Sequence, residues 1–275
     1  MYKRQLYILY CLRQRGLSAQ AYEAGSDVGG TWYWNRYPGA RVDVESMQYC
    51  YHFSDELTDE WAWTERFASQ PELLRYINHV ADRFDLRRDV KFGTRVTSAV
   101  FDGVANLWTL ETDRDDVTQA PYCIMATGSL SKPYRPPFPG YDDFLGDTCH
   151  SATWPDADVG FNGKRVGIIG TGSTGIQAIP VVAAQAKHLT VFQRTPNYTT
   201  PARNRPLAEA EQREFNEHHV QWRGEVRRSF AAITGFPLPT KFPEEDTPAA
   251  RQVLLEQRWK DGGICLLYTS PSPRD

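Results

Sequence analysis

Apolar and polar positions alternate along this chain with two distinct periods. In residues 70–84 the apolar side chains fall at Leu73, Leu74, Ile77, Val80 and Ala81, one face of an amphipathic helix. Residues 6–15 carry the same period and stop at Gly16, and residues 19–22 then predict a short strand. Residues 90–101 and 107–112 predict two strands joined by an Asp102-Gly103 turn. Continuous apolar runs at 122–126 and 166–169 predict buried strands, the second of the parallel kind. Residues 176–186 predict a helix in which Pro180 should introduce a kink, and 189–193 a further strand. Charged helices are predicted over 209–230 and 247–260. Residues 131–139, Ser-Lys-Pro-Tyr-Arg-Pro-Pro-Phe-Pro, are too stiff for a helix and suit a crossing between domains. No repeat of solenoid period is present.

The run at 166–169 leads straight into Gly170-Thr171-Gly172-Ser173-Thr174-Gly175. In a dinucleotide fold the first glycine permits the turn, the second admits the pyrophosphate, and the third lets helix and strand pack closely. The free N–H groups at the helix start would hold the phosphates. The strand that follows ends at Arg194. An Asp or Glu there would bond a ribose hydroxyl, whereas a guanidinium suits a 2′-phosphate, so the site reads as NADP(H) rather than NAD(H). The plain alternative is a glycine turn that only packs tightly. Glu23, at the end of the short early strand, is where a second dinucleotide ribose would be held, with Gly29 and Gly30 following. Its own glycines should lie ~20 residues upstream, but the chain opens Met-Tyr-Lys-Arg-Gln.

The chain has 275 residues, a formal charge of −3 and five scattered cysteines, Cys11, Cys50, Cys123, Cys149 and Cys265. The length predicts two domains. The charge gives no reason to expect nucleic acid or an anionic membrane as partner, and no apolar run approaches the ~20 residues of a membrane span. The cysteines show neither zinc spacing nor a disulfide framework, and no leader pattern opens the chain. A reducing cytoplasm is the expected compartment. His52, His79, His188, His218 and His219 show no ligand spacing and read as surface or cap residues.

Three segments carry a family resemblance. Gly29-Gly30-Thr31-Trp32-Tyr-Trp34-Asn-Arg36-Tyr-Pro38-Gly39-Ala40-Arg41-Val-Asp43-Val-Glu45-Ser46 resembles the flavin-facing segment of type I Baeyer–Villiger monooxygenases. Phe144-x-Gly146-x3-His150-x3-Trp154-Pro155 is similar to that family's fingerprint, and Ala126-Thr127-Gly128 to its strand-end motif. The resemblance runs from about residue 6 to 263 and is nearest the phenylacetone and steroid monooxygenase branch. It implies an α/β fold with two Rossmann-like dinucleotide-binding domains, for FAD and NADP, the first incomplete, plus a partial helical segment. The implied divisions are an FAD domain (1–134), a linker (135–160), the N-terminal part of an NADP domain (161–204), a helical segment (205–263) and a non-native tail (264–275). A natural proline-rich tail is the alternative for the last.

The implied activity uses NADPH, FAD and O₂ to insert one oxygen next to a ketone carbonyl, giving an ester or lactone. By resemblance, Glu23 holds the FAD ribose, and Gly30, Thr31 and Trp32 contact the flavin. Asp43 orients a catalytic arginine that has no counterpart in this chain. Arg41 and Asp43 touch the nicotinamide side, and Tyr49 and Val96 add FAD contacts. Gly170, Thr171, Gly172, Ser173, Thr174, Gly175, Ile176 and Gln177 cradle the NADP pyrophosphate, and Arg194 and Thr195 take the 2′-phosphate. His150 serves the movement of the linker rather than acting as a base on substrate. Plain alternatives stand beside these roles. Glu23 may be read as a solvated strand end, Asp43 as the ion-pair partner of Arg41 or Arg36, His150 as a hydrogen-bonded hinge, and the aromatics from Trp32 to Trp63 as core. Two other functions remain open: oxygenation of nitrogen or sulfur, or an NADP-binding fragment without catalysis. With the FAD phosphate loop and the arginine missing, the 275-residue polypeptide is expected to be inactive.

Overall fold

The computed structural model describes residues 3–128, 130, 132–197, 199–229 and 245–262. The reading of residues 264–275 as a tail lies outside them, as do Met1 and Tyr2 of the chain start. In chain order the elements are α1 (Lys3–Gln14), β1 (Ala21–Tyr22), α2 (Thr31–Trp34), α3 (Asp55–Asp59), α4 (Gln70–Arg83), β2 (Val90–Lys91), β3 (Val96–Asp102), β4 (Leu107–Thr112), β5 (Val117–Ala120), β6 (Arg165–Ile169), α5 (Ser173–Ala183), β7 (His188–Phe192), α6 (Glu209–Arg228) and α7 (Pro248–Asp261). None of the described helices is long and apolar enough to cross a membrane. The chain divides into two units, Met1–Ala40 with Gln70–Asn162, and Arg41–Ser69 with Gly163–Asp275.

In the first unit α4 supplies the core. Leu73, Tyr76, Ile77, Val80 and Ala81 are almost wholly buried, as the helical spacing requires, and Leu6 and Leu9 of α1 are buried with them. Each such side chain is worth ~1.5–3 kcal/mol relative to exposure. The end of α1 is tied to the turn after α4: Arg13 donates to the carbonyls of Phe84 (2.7 Å) and Asp85 (2.9 Å) and pairs with Asp89. β1 pairs with β2 in parallel over two residues only. β3, β4 and β5 form an antiparallel meander. Its first turn is held by Asp102, whose carboxylate accepts the N–H groups of Val104 (2.8 Å) and Ala105 (3.1 Å). The short, half-polar β5, Val-Thr-Gln-Ala, has no apolar run to announce it.

The run at 122–126 does not form a strand. It lies outside any regular element, with Tyr122 84%, Ile124 55% and Met125 60% exposed. A parallel strand exists only where a neighbour takes its N–H and C=O groups, and among the described residues no strand lies beside this run.

In the second unit β6 and β7 pair in parallel from Arg165↔His188 to Ile169↔Phe192, and α5 follows β6 and runs through Pro180. β6 is a strand as expected but is not buried, with Ile169 66% exposed. A buried parallel strand needs neighbours on both edges and cover on both faces; β6 has one partner strand. The core of this unit is Val42, Cys50, Tyr51, Leu57, Trp63, Phe67 and Ala68, with Phe215 and Val226 from α6. The indole N–H of Trp63 donates to the Cys50 thiol at 3.0 Å.

Polar contacts seat α6. Gln212 accepts the Trp63 N–H (3.1 Å), Arg223 donates to the His52 carbonyl (3.1 Å), and Asp55 pairs with both Arg223 and His219. His219 is therefore buried between helices, contrary to its expected place on the surface. Nothing in its spacing reveals the Asp55 partner on a distant helix. Before the first turn of α6, Arg205 grips Glu211 with two 2.6 Å bonds, and Glu211 accepts the Ala208 N–H at 3.1 Å.

These bonds pull the Glu211 carboxyl from its ordinary 4.5 down to about 2, with the Arg205 hydrogen bond as the main cause. The Arg223 and His219 bonds lower Asp55 in the same direction. A depressed carboxylate stabilises the fold above its unfolded pKa and stops doing so as pH falls through the folded one. Hydrogen-exchange protection in the first turn of α6 is therefore expected to be full at pH 5 and to fall between about pH 4.5 and 2. Glu211→Gln should lose part of it at neutral pH, and a Gln variant with wild-type protection at both ends of that window would refute the account.

Candidate functional site

The glycine stretch after β6 has the geometry its spacing predicts. Gly170 sits at φ +105°, open only to glycine, and donates its N–H to the Phe192 carbonyl at 2.9 Å, closing the turn against β7. A Cβ on Gly175 would lie 2.3 Å from the Gly170 carbonyl oxygen, so α5 approaches the strand end too closely for any side chain. A Cβ on Gly172 would meet nothing within 4 Å. The backbone there is open to an incoming group. The first N–H groups of α5, on Ser173, Thr174 and Gly175, have no acceptor inside the helix, and Ile176 closes its first turn onto Gly172 (3.0 Å).

At the end of β7, Arg194 and Thr195 are exposed, and Arg194 makes no ion pair among the described residues. The Thr171 hydroxyl accepts from the amides of Gln193 (3.1 Å) and Asn197 (3.3 Å). Sequence reasoning does not single out these two residues, because their partner lies some twenty positions earlier and shares no motif with them.

Gln177 does not point at this opening. Its Oε1 accepts the Arg41 N–H (3.2 Å), and its Nε2 donates to the Arg41 carbonyl (3.1 Å) and to Asp43 Oδ1 (2.8 Å). Asp43 pairs with neither arginine weighed for it. The Arg41 guanidinium goes to Glu65 (3.3 Å) and the Phe67 carbonyl (3.4 Å). Arg36 pairs with Asp156 and donates to the Tyr33 carbonyl at 2.6 Å. Crowding by neighbouring chain removes water from the Asp43 carboxyl and raises its pKa, and the Gln177 bond offsets part of the rise. The residue as a whole remains exposed to solvent.

In the first unit, Glu23 follows β1 and accepts the Gly25 N–H at 2.8 Å through one carboxylate oxygen. Gly29 sits at φ +126°, and a Cβ there would strike Leu74 at 2.5 Å. Gly30 caps α2, whose Thr31 is half-buried and whose Trp32 is buried in the core. Trp32 and Trp63 are both core residues, which is the plain reading of the aromatics, while Trp34 is 38% exposed. Val96, at the start of β3, is exposed. Tyr49, in the second unit, ends the short turn Ser46–Tyr49 and is half-buried.

The segment from Phe144 to Pro155 is a set of local contacts. The Phe144 ring lies where a Cβ on Gly146 would be, 2.6 Å from it. His150 caps the turn Ser151–Thr153, its Nδ1 accepting the Ala152 N–H (3.2 Å), and its Nε2 meets the Tyr134 carbonyl at 3.1 Å. Trp154 rests 6.3 Å, centroid to centroid, from Phe161. Both His150 nitrogens are thus engaged with backbone, which favours the hinge reading over proton transfer.

Residues 46–232 match the family model described as pyridine nucleotide-disulphide oxidoreductase. The methyl acetate-forming acetone monooxygenase of Gordonia sp. (strain TY-5) is 43% identical over 96% of this chain and 49% of its own length. A phenazine N-monooxygenase of Lysobacter antibioticus is 42% identical over 94% of this chain and 47% of its own. The structure of oxidized steroid monooxygenase bound to NADP superposes with a TM-score of 0.89 at 49% identity, over 97% of this chain and 51% of that one. The chain spans about half the length of each of these relatives.

The two glycines predict opposite outcomes. Gly175→Ala should cost the second unit ~1–3 kcal/mol through overpacking. Gly172→Ala, at φ −70° in open space, should leave stability unchanged or raise it by ~0.4–1 kcal/mol. Urea unfolding followed at both positions checks this; equal effects would show that the close approach at Gly175 is not the constraint described.

Proposed function

We propose that this chain, which belongs to the pyridine nucleotide-disulphide oxidoreductase family and to its Baeyer–Villiger monooxygenase members, supplies nucleotide-binding machinery for an NADPH- and FAD-dependent ketone monooxygenase. The observation that carries the reading is the strand–glycine–helix unit with Gly175 against the Gly170 carbonyl and a free arginine at the end of β7. Bound NADPH and FAD supply the redox chemistry, hydride transfer and O₂ activation, and the product is an ester or lactone. The acetone monooxygenase relative, named for forming methyl acetate, supports a ketone as substrate.

The residues fit the nicotinamide nucleotide. The N–H groups of Ser173, Thr174 and Gly175 hold the pyrophosphate, Gly172 admits it to the backbone, and Arg194 with Thr195 neutralises the 2′-phosphate. The flavin side fits in part. Glu23 has a second carboxylate oxygen for a ribose hydroxyl, and the Gly29-Gly30 turn lets a ring approach the backbone. No glycine-rich phosphate turn for FAD lies before Glu23 among the described residues. Asp43, Arg41, Tyr49 and Val96 complete the proposed set, with His150 positioning the linker. In this reading residues 1–134 and 161–204 would correspond to the FAD and NADP domains and 135–160 to the linker, although residues 41–69 pack with the second compact unit; the described helices α6 and α7 follow. The scattered cysteines favour a reducing cytoplasm as the compartment.

Oxygenation of nitrogen is the second reading, favoured by the phenazine N-monooxygenase relative. The two are separated by product analysis on a polypeptide that carries this chain and matches its relatives in length. Ester from a ketone with NADPH and O₂ supports the first reading, and N-oxide alone would sink it. Arg194→Ala should weaken NADP⁺ binding about 10- to 100-fold, the loss of a charge-assisted bond, and leave NAD⁺ binding within about 2-fold, as read by titration calorimetry. Equal losses for the two nucleotides would remove Arg194 from the 2′-phosphate site.

A further inference from the structure

Gln177 stands where the family resemblance places a phosphate-cradling residue, yet its side chain is committed elsewhere. Arg41 faces Ser69 in an antiparallel bridge whose flanking bonds run from the Val42 N–H to the Ala68 carbonyl (3.1 Å) and from the Gln70 N–H to the Ala40 carbonyl (2.8 Å). In such a pair the N–H and C=O of the central residue turn away from the partner strand. Arg41 therefore has both backbone groups aimed outward, and the Gln177 carboxamide meets both, one atom each, as a second strand would. The remaining Nε2 hydrogen goes to Asp43 Oδ1. Three of the four hydrogen bonds that a Gln can make are thus spent on one three-residue segment.

We infer that Gln177 is a positioning residue that latches the Arg41–Asp43 segment to the start of the dinucleotide helix, and is not a ligand of the phosphates. This rests on the reading of α5 as the NADP helix and of Asp43 as a residue beside the reacting rings. The latch fixes the Asp43 carboxylate relative to the same helix N-terminus that holds the nucleotide. It acts through backbone as much as through charge. An isosteric apolar side chain releases the whole segment, and a carboxylate at 177 keeps only the acceptor for the Arg41 N–H while opposing Asp43. The Gln177 bond is also what offsets part of the rise in the Asp43 pKa.

Two measurements on Gln177→Met and Gln177→Glu test it. The first is amide hydrogen exchange at Arg41 in the 275-residue chain without cofactor. The Met variant should exchange Arg41 about 10-fold faster, the loss of one ordinary hydrogen bond, while the amides of α5 keep their rates and so report an intact helix. Gln177→Glu should fall between Met and wild type. An unchanged Arg41 rate in the Met variant, with α5 intact, overturns the latch. The second is rapid-mixing reduction of the flavin by NADPH in the holoenzyme. The latch predicts a reduction rate lowered about 10- to 100-fold by misplacement of the segment, with the NADPH Kd changed less than about 2-fold. A weakened Kd at an unchanged rate would return Gln177 to the phosphate cradle and overturn the proposal. A holoenzyme without any flavin reduction defeats the monooxygenase reading, and the exchange measurement still decides whether the latch exists.

Discussion

The contact between Gly175 and the Gly170 carbonyl governs the geometry of the second unit. With 2.3 Å between that oxygen and the place a Cβ would take, α5 can sit on the strand end only because position 175 carries no side chain. That approach sets where the first N–H groups of the helix point, and it sets how far along the helix Gln177 emerges. From Gln177 the order passes to the Arg41 backbone and the Asp43 carboxylate. A packing constraint a single atom wide thereby bears on both the start of α5 and the carboxylate that Gln177 holds.

Much of this was legible in the linear order of residues, and the reason is physical. Glycines at 170, 172 and 175 encode turn, access and close packing within six positions, so spacing alone carries the geometry. The heptad-like run through Leu73, Ile77 and Val80 encodes a buried helix face in the same local way. Pairing is different. The run at 122–126 has the composition of a buried strand, but a strand is a relation between two segments, and composition names only one of them. The same holds for β6, which forms but is exposed at Ile169 because burial depends on neighbours that its own residues cannot report. His219 and Asp55 show the point for side chains: one is a plain helix histidine by spacing, and only the docking of α6 on α3 makes it buried and hydrogen-bonded to Asp55.

The fate of Asp43 follows from competition among partners. Two arginines stand within seven positions of it, and either could have neutralised it. Glu65 takes one and Asp156 the other, both through contacts distant in sequence. What remains for Asp43 is a neutral carboxamide, which orients a carboxylate without cancelling its charge. An ion pair would have lowered its pKa; here burial raises it, and the Gln177 hydrogen bond offsets part of that rise. A surface salt bridge, whose worth is small, is not what holds this carboxylate; the Gln177 amide is.

The fingerprint from Phe144 to Pro155 does a different kind of work. Gly146 makes room for the Phe144 ring, His150 caps a turn and holds the Tyr134 carbonyl, and Trp154 lies on Phe161. Every one of these contacts is internal to the segment or to its unit. What these contacts do is order the segment itself. An acetone monooxygenase and a phenazine N-monooxygenase resemble this chain almost equally, at 43% and 42% identity. Likeness at this level does not separate the two chemistries. The choice between a ketone and a nitrogen rests on the groups that face the substrate.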